Sequence, residues 1–251
     1  KILDDKRSAF LSAIIYMFNG FMHSFIIYGH MNILEGYALM PLIFLFVYNA
    51  LKGKDWLLYS VLAGILFALQ IFSGSMIFFF YTALIVAFYA AFNLISKNFA
   101  KIFVKSACVG FVVIIVALGL ASIKLFPVLE FIKMSSRSGS VSFTEFLGHP
   151  IEFINILNVA ITNLGYSGFS AAVGIVGFAL AAYGLLNYKK KIAAFSLIMI
   201  IFSLLFASGT FVAGVMYKIP GFDKQRHVER ALVLFVFAAS ILAAYGFASL
   251  S

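Results

Sequence analysis

The stretch GFDKQRHVERALVLFVFAASILAAYGFASL, residues 221–250, joins a polar decapeptide to a long apolar segment. The first ten residues contain five formal charges and a histidine, whereas residues 231–251 contain no charge. A helix rises about 1.5 Å per residue, so roughly 20 apolar residues cross the hydrocarbon core of a bilayer. The second part of the stretch therefore predicts a membrane-spanning helix, with the polar decapeptide (221–230) at its N-terminal end.

The composition of the whole chain agrees with this local pattern. Of its 251 residues 64% are hydrophobic and only 11% are charged, and the mean hydropathy is +1.08. Soluble domains carry about 25% charged residues, so we expect the lipid bilayer to surround most of this protein. The net charge of +9 does not require nucleic acid, and we expect no such partner, because membrane proteins collect Lys and Arg in cytoplasmic loops.

Apolar runs divided by polar loops predict an all-α, polytopic membrane helical bundle, with residues 1–251 as a single transmembrane domain. About eight runs qualify as spans: Ser8–Gly29, Gly36–Leu51, Trp56–Phe72, Gly74–Ile95, Ser106–Ile123, Gly168–Tyr188, Ile192–Ser208 and Ala231–Leu250.

The loops between the runs alternate in charge. One set holds 11 of the 18 Lys and Arg residues; it consists of Lys1–Arg7, Lys52–Asp55, Lys97–Lys105 and Lys189–Lys191. The positive-inside rule places this set in the cytoplasm, together with both ends of the chain. The outer loops are then at about 28–35, 124–167 and 209–230, so we expect the polar decapeptide at the outer face.

The longest outer loop contains two helix signals. Ser142 and Glu145 have the spacing of a capping box. In PIEFINILNVAI (150–161), Pro150 suits the first position of a helix, and polar residues recur every three positions from Glu152. This pattern predicts an interfacial helix at the outer surface; a buried re-entrant helix would have the same pattern.

Arginines of the outer loops are candidates for phosphate binding, because guanidinium groups bind phosphate oxygens bidentately. Arg226 and Arg230 are four residues apart and share a face if the last helix begins early. Arg137 is a third candidate. The alternative is an ion-pair network at the headgroup level, in which Glu229 pairs with one of the arginines.

The first outer loop contributes two further candidates. His30 suits a metal or a phosphate, and an ordinary interfacial histidine is the alternative. Glu35 follows Asn32 at capping-box spacing, so a helix cap explains it without any catalytic role. The single cysteine, Cys108, makes no metal cluster, and we expect it to be a small core residue.

Five segments, in order along nearly the whole chain, resemble the YfhO-like membrane proteins of the GT-C class of glycosyltransferases. They are GHMNILEGYALMPLIFL (29–45), ALQIFSGSMIFFFYTALIVAFYAAF (68–92), ASIKLFPVLEFIKMSSRSG (121–139), YSGFSAAVGIVGFALAAYGLL (166–186) and IPGFDKQRHVERALVLFVFAASILAAYGF (219–247). The last resembles a Pro-x-Phe and Arg-x-Pro-x-Arg signature, with Val228 in place of the second proline. Ser75 stands where the family often has His, and Lys124 where Gln is common.

The resemblance implies a transferase at the outer face of a prokaryotic plasma membrane. Such proteins move a sugar from a polyprenyl-phosphate donor to a cell-envelope acceptor. The residues implied at the substrate site are Arg226, Arg230, Arg137, His30 and His227. A divalent metal is compatible with this chemistry, and no residue is assigned to bind one.

The catalytic acid has two candidate locations. GT-C enzymes usually place it in the outer loop between their first two spans, which we expect to precede Lys1 in a longer protein; Glu35 is the candidate within the chain. Two other functions fit the residues: a transporter or flippase for a lipid-linked anion, which would move its substrate without breaking a glycosidic bond, and a non-catalytic membrane scaffold.

Overall fold

The computed structural model describes residues 5–95, 98–134, 139–162, 170–187 and 189–250. Within these ranges the regular structure is helical and no strand occurs, which confirms the predicted all-α fold. The α-helices are α1 (Lys6–Met17), α2 (Gly20–Ile27), α3 (Met31–Lys52), α4 (Trp56–Phe72), α5 (Met76–Leu94), α6 (Phe99–Met134), α7 (Phe143–Leu147), α8 (Ile156–Ile161), α9 (Gly174–Gly184), α10 (Lys191–Ala207), α11 (Phe211–Tyr217) and α12 (Leu232–Ala248). Short 3-10 helices lie at Phe153–Asn155, Leu185–Asn187, Phe222–Lys224 and Val228–Ala231.

Among the described residues, five helical segments are long and apolar enough to cross a bilayer, and six if the bent pair α10 and α11 counts as one span. The five are Lys6–Ile27, Ile33–Lys52, Met76–Leu94, Phe99–Met134 and Val228–Ala248. Helix α4 is apolar, but its 17 residues rise only about 25 Å, less than the roughly 30 Å of hydrocarbon. These helices indicate an integral, multi-pass membrane protein with five to six spans, and the predicted eight are not confirmed.

A buried asparagine divides the first apolar run into two helices. The Oδ1 atom of Asn19 accepts a hydrogen bond from the Met22 amide at 3.0 Å and so caps the start of α2. Its Nδ2 atom donates to the carbonyl oxygens of Ile15 and Tyr16 at the end of α1. The run predicted as one helix therefore contains a break in which the polar side chain is satisfied locally.

The described residues form two compact units. The terminal unit consists of residues 1–29 and 140–251 and is built around α12. This helix is apolar on all sides and nearly all of its side chains are buried, because α1, α9 and α10 pack around it. The Oγ atom of Ser203 in α10 donates to the carbonyl of Ala231 at 2.7 Å and holds the start of α12.

Helices α9 and α12 approach each other closely at two glycines. A Cβ atom on Gly184 would collide with the carbonyl oxygen of Leu242, and one on Gly246 would collide with that of Leu180. Small residues at such crossings allow two helix backbones to come into contact. The pairing of these two helices therefore depends on the absence of both side chains.

The central unit, residues 30–139, contains α3, α4, α5 and α6. Its interior includes the fully buried side chain of Gln70 on α4. The Nε2 atom of Gln70 donates to the carbonyl of Gly36 on α3 at 2.7 Å and to Oγ1 of Thr82 on α5 at 2.8 Å. The side-chain amide of Gln70 thus joins three helices, which accounts for a polar residue near the end of the apolar run Trp56–Phe72.

The segments predicted for the longest outer loop differ in part from the prediction. The capping box is confirmed: the Ser142 hydroxyl accepts a hydrogen bond from the Glu145 amide at 3.2 Å and starts α7. Residues 150–152 are not helical, however, and the predicted helix is instead a 3-10 turn followed by α8. The amide of Ile151 bonds to the carbonyl of Ala207 at 3.0 Å, so tertiary contact replaces the first helical turn.

Two further expectations are corrected. Helix α6 continues through Lys124 to Met134, so the long loop begins later than the apolar pattern indicates. Cys108 is exposed on α6 rather than packed in the core. The reason is that a membrane helix keeps apolar side chains on its lipid side as well as on its protein side, so hydropathy does not separate the two faces.

Candidate functional site

The polar decapeptide is hydrogen-bonded to Ser140 and Val141, which lie just before α7. The Oδ2 atom of Asp223 accepts a hydrogen bond from Oγ of Ser140 at 2.7 Å, and its main-chain carbonyl accepts one from the Val141 amide at 3.0 Å. The Ser140 hydroxyl holds the pKa of Asp223 below its ordinary value, and the Gly221 amide acts in the same direction. The decapeptide is therefore held by contacts between segments that are 83 residues apart in the chain.

Within the decapeptide, His227 has an unusual backbone conformation. Its φ of 73° and ψ of 85° are left-handed, and among the described non-glycine residues only His227 has a positive φ. Such a conformation costs about 1–3 kcal/mol and persists only where neighbouring contacts hold it. Strained positions of this kind cluster at ligand-binding and active sites.

Gly148 and His149 hold His227 in place. A Cβ atom on Gly148 would lie 2.6 Å from Nδ1 of His227, so only glycine leaves room for the imidazole. Gly148 itself has a φ of +59°, which also favours glycine. The ring of His149 stacks against that of His227, with centroids 5.8 Å apart and an angle of 28° between the planes. The two histidines thus form a pair that the sequence does not predict.

Glu229 places a carboxylate beside this pair. Its side chain is only 2% exposed, and its Oε1 atom lies 3.0 Å from Nδ1 of His227. The contact lacks the alignment of a hydrogen bond, and the buried Oε2 atom has no hydrogen-bond partner within the described ranges. A buried carboxyl oxygen without a partner is costly for folding, so Glu229 is a candidate for binding or proton transfer.

Burial and the neighbouring side chains keep the imidazole of His227 neutral. Burial lowers the pKa of His227 below its ordinary value of 6.5, and the neighbouring Arg230, His149 and Arg226 lower it further. Both guanidinium groups therefore act on the same imidazole. At neutral pH the site offers a neutral histidine within the electrostatic influence of two permanent cations.

Arg226 is held by an exposed ion pair. Its Nη2 atom lies 3.1 Å from Oε1 of Glu145 on α7, and the two side chains are 44% and 50% exposed. An ion pair of this exposure contributes at most about 1 kcal/mol. A phosphate group can therefore displace the Glu145 carboxylate from Arg226 at little cost.

The predicted site residues fall into three groups. Arg226, His227 and Arg230 lie together in the terminal unit. His30 and Glu35 belong to the central unit, where both are exposed. Helix α3 begins at Met31 with His30 as its N-cap residue, so the predicted cap at Asn32 with Glu35 as its partner is wrong. Arg137 lies outside the described residues.

Two members of the cluster were not predicted as site residues: His149 and Glu229. In the sequence His149 precedes Pro150, which is typical of a loop, and Glu229 fits an ion pair with an arginine. In the structure His227 contacts both: its ring stacks against that of His149, and its Nδ1 atom lies 3.0 Å from Glu229. The sequence signal that could have indicated this cluster is a histidine and an acidic residue between two arginines, within positions 226–230.

Helices and site together define a class: an α-helical, multi-pass membrane protein with a polar cluster of arginine, histidine and glutamate in one of its units. Across the described residues, no group of three or more His, Cys, Asp or Glu side chains is placed to hold a metal ion. No family model matches the chain, and the comparisons with curated proteins and with solved structures found no match.

Proposed function

We propose that this protein is a GT-C-type membrane glycosyltransferase. It transfers a sugar from a polyprenyl-phosphate donor to a cell-envelope acceptor at the outer face of a prokaryotic plasma membrane, with about eight spans and both chain ends in the cytoplasm. The observation that carries the proposal is the cluster at the start of α12, in which Arg226 and Arg230 flank the buried contact between His227 and Glu229.

The arginines supply the phosphate site. A lipid-linked donor carries its negative charge on the phosphate that joins sugar and polyprenyl chain. Guanidinium groups bind phosphate oxygens through two parallel hydrogen bonds, and they stabilise the charge that develops on the leaving phosphate. Arg226 exchanges its weak, exposed contact with Glu145 for this stronger one.

Glu229 and His227 supply the proton acceptor. In the transfer step, the acceptor oxygen forms a bond to the anomeric carbon of the sugar while the bond between that carbon and the phosphate oxygen breaks. The acceptor proton passes to the Glu229 carboxylate, which His227 positions, and polyprenyl phosphate leaves. Glu35, the candidate base predicted from the sequence, stays the alternative.

Transfer can be measured without knowing the acceptor. Membranes from cells that express the chain are incubated with a set of polyprenyl phosphates, each carrying a radiolabelled sugar. The label that moves from the lipid into envelope material is then counted. We expect transfer from one donor, and about 100-fold less transfer in Arg226→Ala or Arg230→Ala, because each removes a group that stabilises the leaving phosphate.

Lys218→Ala is the matched control, since Lys218 is an exposed cation of the same loop. It should retain full transfer, and all three variants should be present in the membrane at equal amounts. Donor that crosses sealed vesicles with its glycosidic bond intact would instead identify a flippase. Transfer that is unchanged in both arginine variants would overturn the phosphate site.

A further inference from the structure

An apolar groove runs between α5 and α6 of the central unit, with α3 and α4 as its floor. Its volume is about 340 Å³, which lies within the roughly 300–1,000 Å³ of small-molecule sites. The walls include Val47, Phe67, Phe79, Ala87, Val113 and Leu118. The only polar side chain in the lining is that of Ser106, so an apolar chain is the kind of ligand that fits.

The length of the groove matches one leaflet of a membrane. Along α5 its lining extends from Phe79 to Ala90, which corresponds to about 16 Å of helix. Half of the hydrocarbon core of a bilayer is about 15 Å. The groove therefore has the length of a lipid acyl chain that reaches from the membrane surface to the midplane.

One end of the groove carries positive charge. Leu51 and Ser106 line that end, and each is a chain neighbour of a lysine. The Nζ atom of Lys105 donates to the carbonyl of Gly53 at 3.0 Å, and that of Lys52 donates to the hydroxyl of Tyr48 at 2.7 Å. Because an ammonium group has three donors, both lysines retain capacity for a further acceptor.

Ser106 lies between the charged end and the apolar walls. Its Oγ atom is buried and has no hydrogen-bond partner among the residues that the structure describes. From the end inward, the groove thus presents cations, one hydroxyl donor and then only apolar groups. This is the order of a phosphate, an ester carbonyl and an acyl chain in a phospholipid.

We propose that the groove is a binding site for an anionic phospholipid. One acyl chain occupies the groove, the ester carbonyl accepts a hydrogen bond from Ser106, and the headgroup phosphate lies at Lys52 and Lys105. Lys54 and Lys101 at the same end add positive charge, against the single acid Asp55. This charge favours a lipid with net negative charge over a zwitterionic one. The proposal does not depend on glycosyl transfer.

The single tryptophan of the chain provides the readout. Trp56 packs against the core cluster that includes the groove residues Val47, Phe67 and Val109. Bromine atoms on an acyl chain in the groove quench its fluorescence. The purified protein is reconstituted into vesicles of zwitterionic phosphatidylcholine, and brominated phosphatidylglycerol or brominated phosphatidylcholine is added in increasing amounts. We expect the anionic lipid to quench the Trp56 fluorescence at a lower mole fraction than the zwitterionic lipid. The mole fraction needed should fall about fivefold for each lysine that contacts the phosphate.

Gly110 allows the groove to be filled. It lines the groove, and a Cβ atom there meets nothing within 4 Å. Gly110→Leu should remove the extra quenching by phosphatidylglycerol. Gly119→Leu on the same helix is the matched control, because its Cβ also meets nothing within 4 Å and it does not line the groove. In the Gly119→Leu variant, the brominated lipids should quench the Trp56 fluorescence as they do in the unmodified protein.

The lysines are tested separately, with substitutions to glutamine that remove the charge and keep a polar side chain that can donate hydrogen bonds. Lys52→Gln with Lys105→Gln should make the two brominated lipids equivalent, whereas Lys189→Gln in the terminal unit should preserve the difference. Equal quenching by both lipids in the unmodified protein would overturn the proposal. A preference that survives Gly110→Leu would also overturn it, because the lipid would then bind without the groove.

Discussion

The Nδ1 atom of His227 lies 3.0 Å from Oε1 of Glu229, in a turn where His227 has a left-handed backbone. The carboxylate is buried, and the imidazole is flanked by the charges of Arg226 and Arg230. This geometry places a carboxylate and an imidazole near two guanidinium groups without any contribution from a long helix. The strained turn, rather than the helix face expected for the two arginines, is what assembles the site.

The depressed pKa of His227 predicts how stability changes with pH. The unfolded chain binds a proton near the ordinary value of 6.5, whereas the folded chain binds it only at lower pH. The part of the stability that depends on His227 should therefore be lost as the pH drops below about 6.5 towards the folded pKa. His227→Gln should reduce this loss in thermal unfolding of the detergent-solubilised protein between pH 7 and 5. An unchanged slope would show that His227 is not buried as described.

Gly148→Ala should destabilise the site. The new Cβ would lie 2.6 Å from Nδ1 and 3.0 Å from Cα of His227, and φ at this position is +59°. Gly174→Ala is the matched control, since φ is +75° there and nothing lies within 4 Å. The control should lose only the roughly 1–2 kcal/mol of a left-handed residue, and Gly148→Ala should lose clearly more. Equal thermal shifts would mean that contact with His227 is not what requires glycine.

The ion pair between Arg226 and Glu145 should matter for ligand binding and little for folding. Glu145→Gln removes the charge but keeps a capping-box residue, so the melting temperature should hardly change. Polyprenyl phosphate should bind this variant at least as tightly, because Arg226 no longer has a competing carboxylate. Arg226→Gln should bind it about tenfold more weakly, which is typical of a lost charge-assisted hydrogen bond. Titration by isothermal calorimetry measures both affinities.

The crossing of α9 and α12 should not tolerate a methyl group. In Gly246→Ala the new Cβ collides with the carbonyl of Leu180, and backbone cannot move aside as a flexible side chain can. We expect a loss of about 2–4 kcal/mol. Gly214→Ala in α11 is the control, because nothing lies within 4 Å of its Cβ and alanine favours helix by about 1 kcal/mol. Thermal unfolding of both variants distinguishes a tight crossing from a general intolerance of alanine.

The charge bias of the loops predicts the orientation in the membrane. In a Cys108→Ser background, a cysteine at position 189 should be protected from a membrane-impermeant maleimide in intact cells. A cysteine at position 218 should be labelled. Labelling of position 189 alone would reverse the predicted topology and move the polar cluster to the cytoplasmic face.

The sequence by itself indicated that a lipid bilayer surrounds most of this protein, and it predicted most of the helices. Runs such as 231–250 have too few polar groups for an aqueous surface, and only a helix satisfies their backbone within a bilayer. The capping box at Ser142 and Glu145 could also be predicted from the sequence, because its two partners are only three residues apart. These features depend on composition and on contacts within one turn of helix.

Span number and the site were decided by tertiary structure. Helix α4 is too short to be counted as a span, and the chain bends by 85° between α10 and α11. His149, Gly148 and His227 meet although almost 80 residues separate them, as the ring contact between the two histidines shows. Nothing local favours a left-handed histidine; it exists because packing around Gly148 and Glu229 compensates its strain. Composition and contacts within one helical turn determined the helices. Contacts between distant segments determined where the charged groups lie.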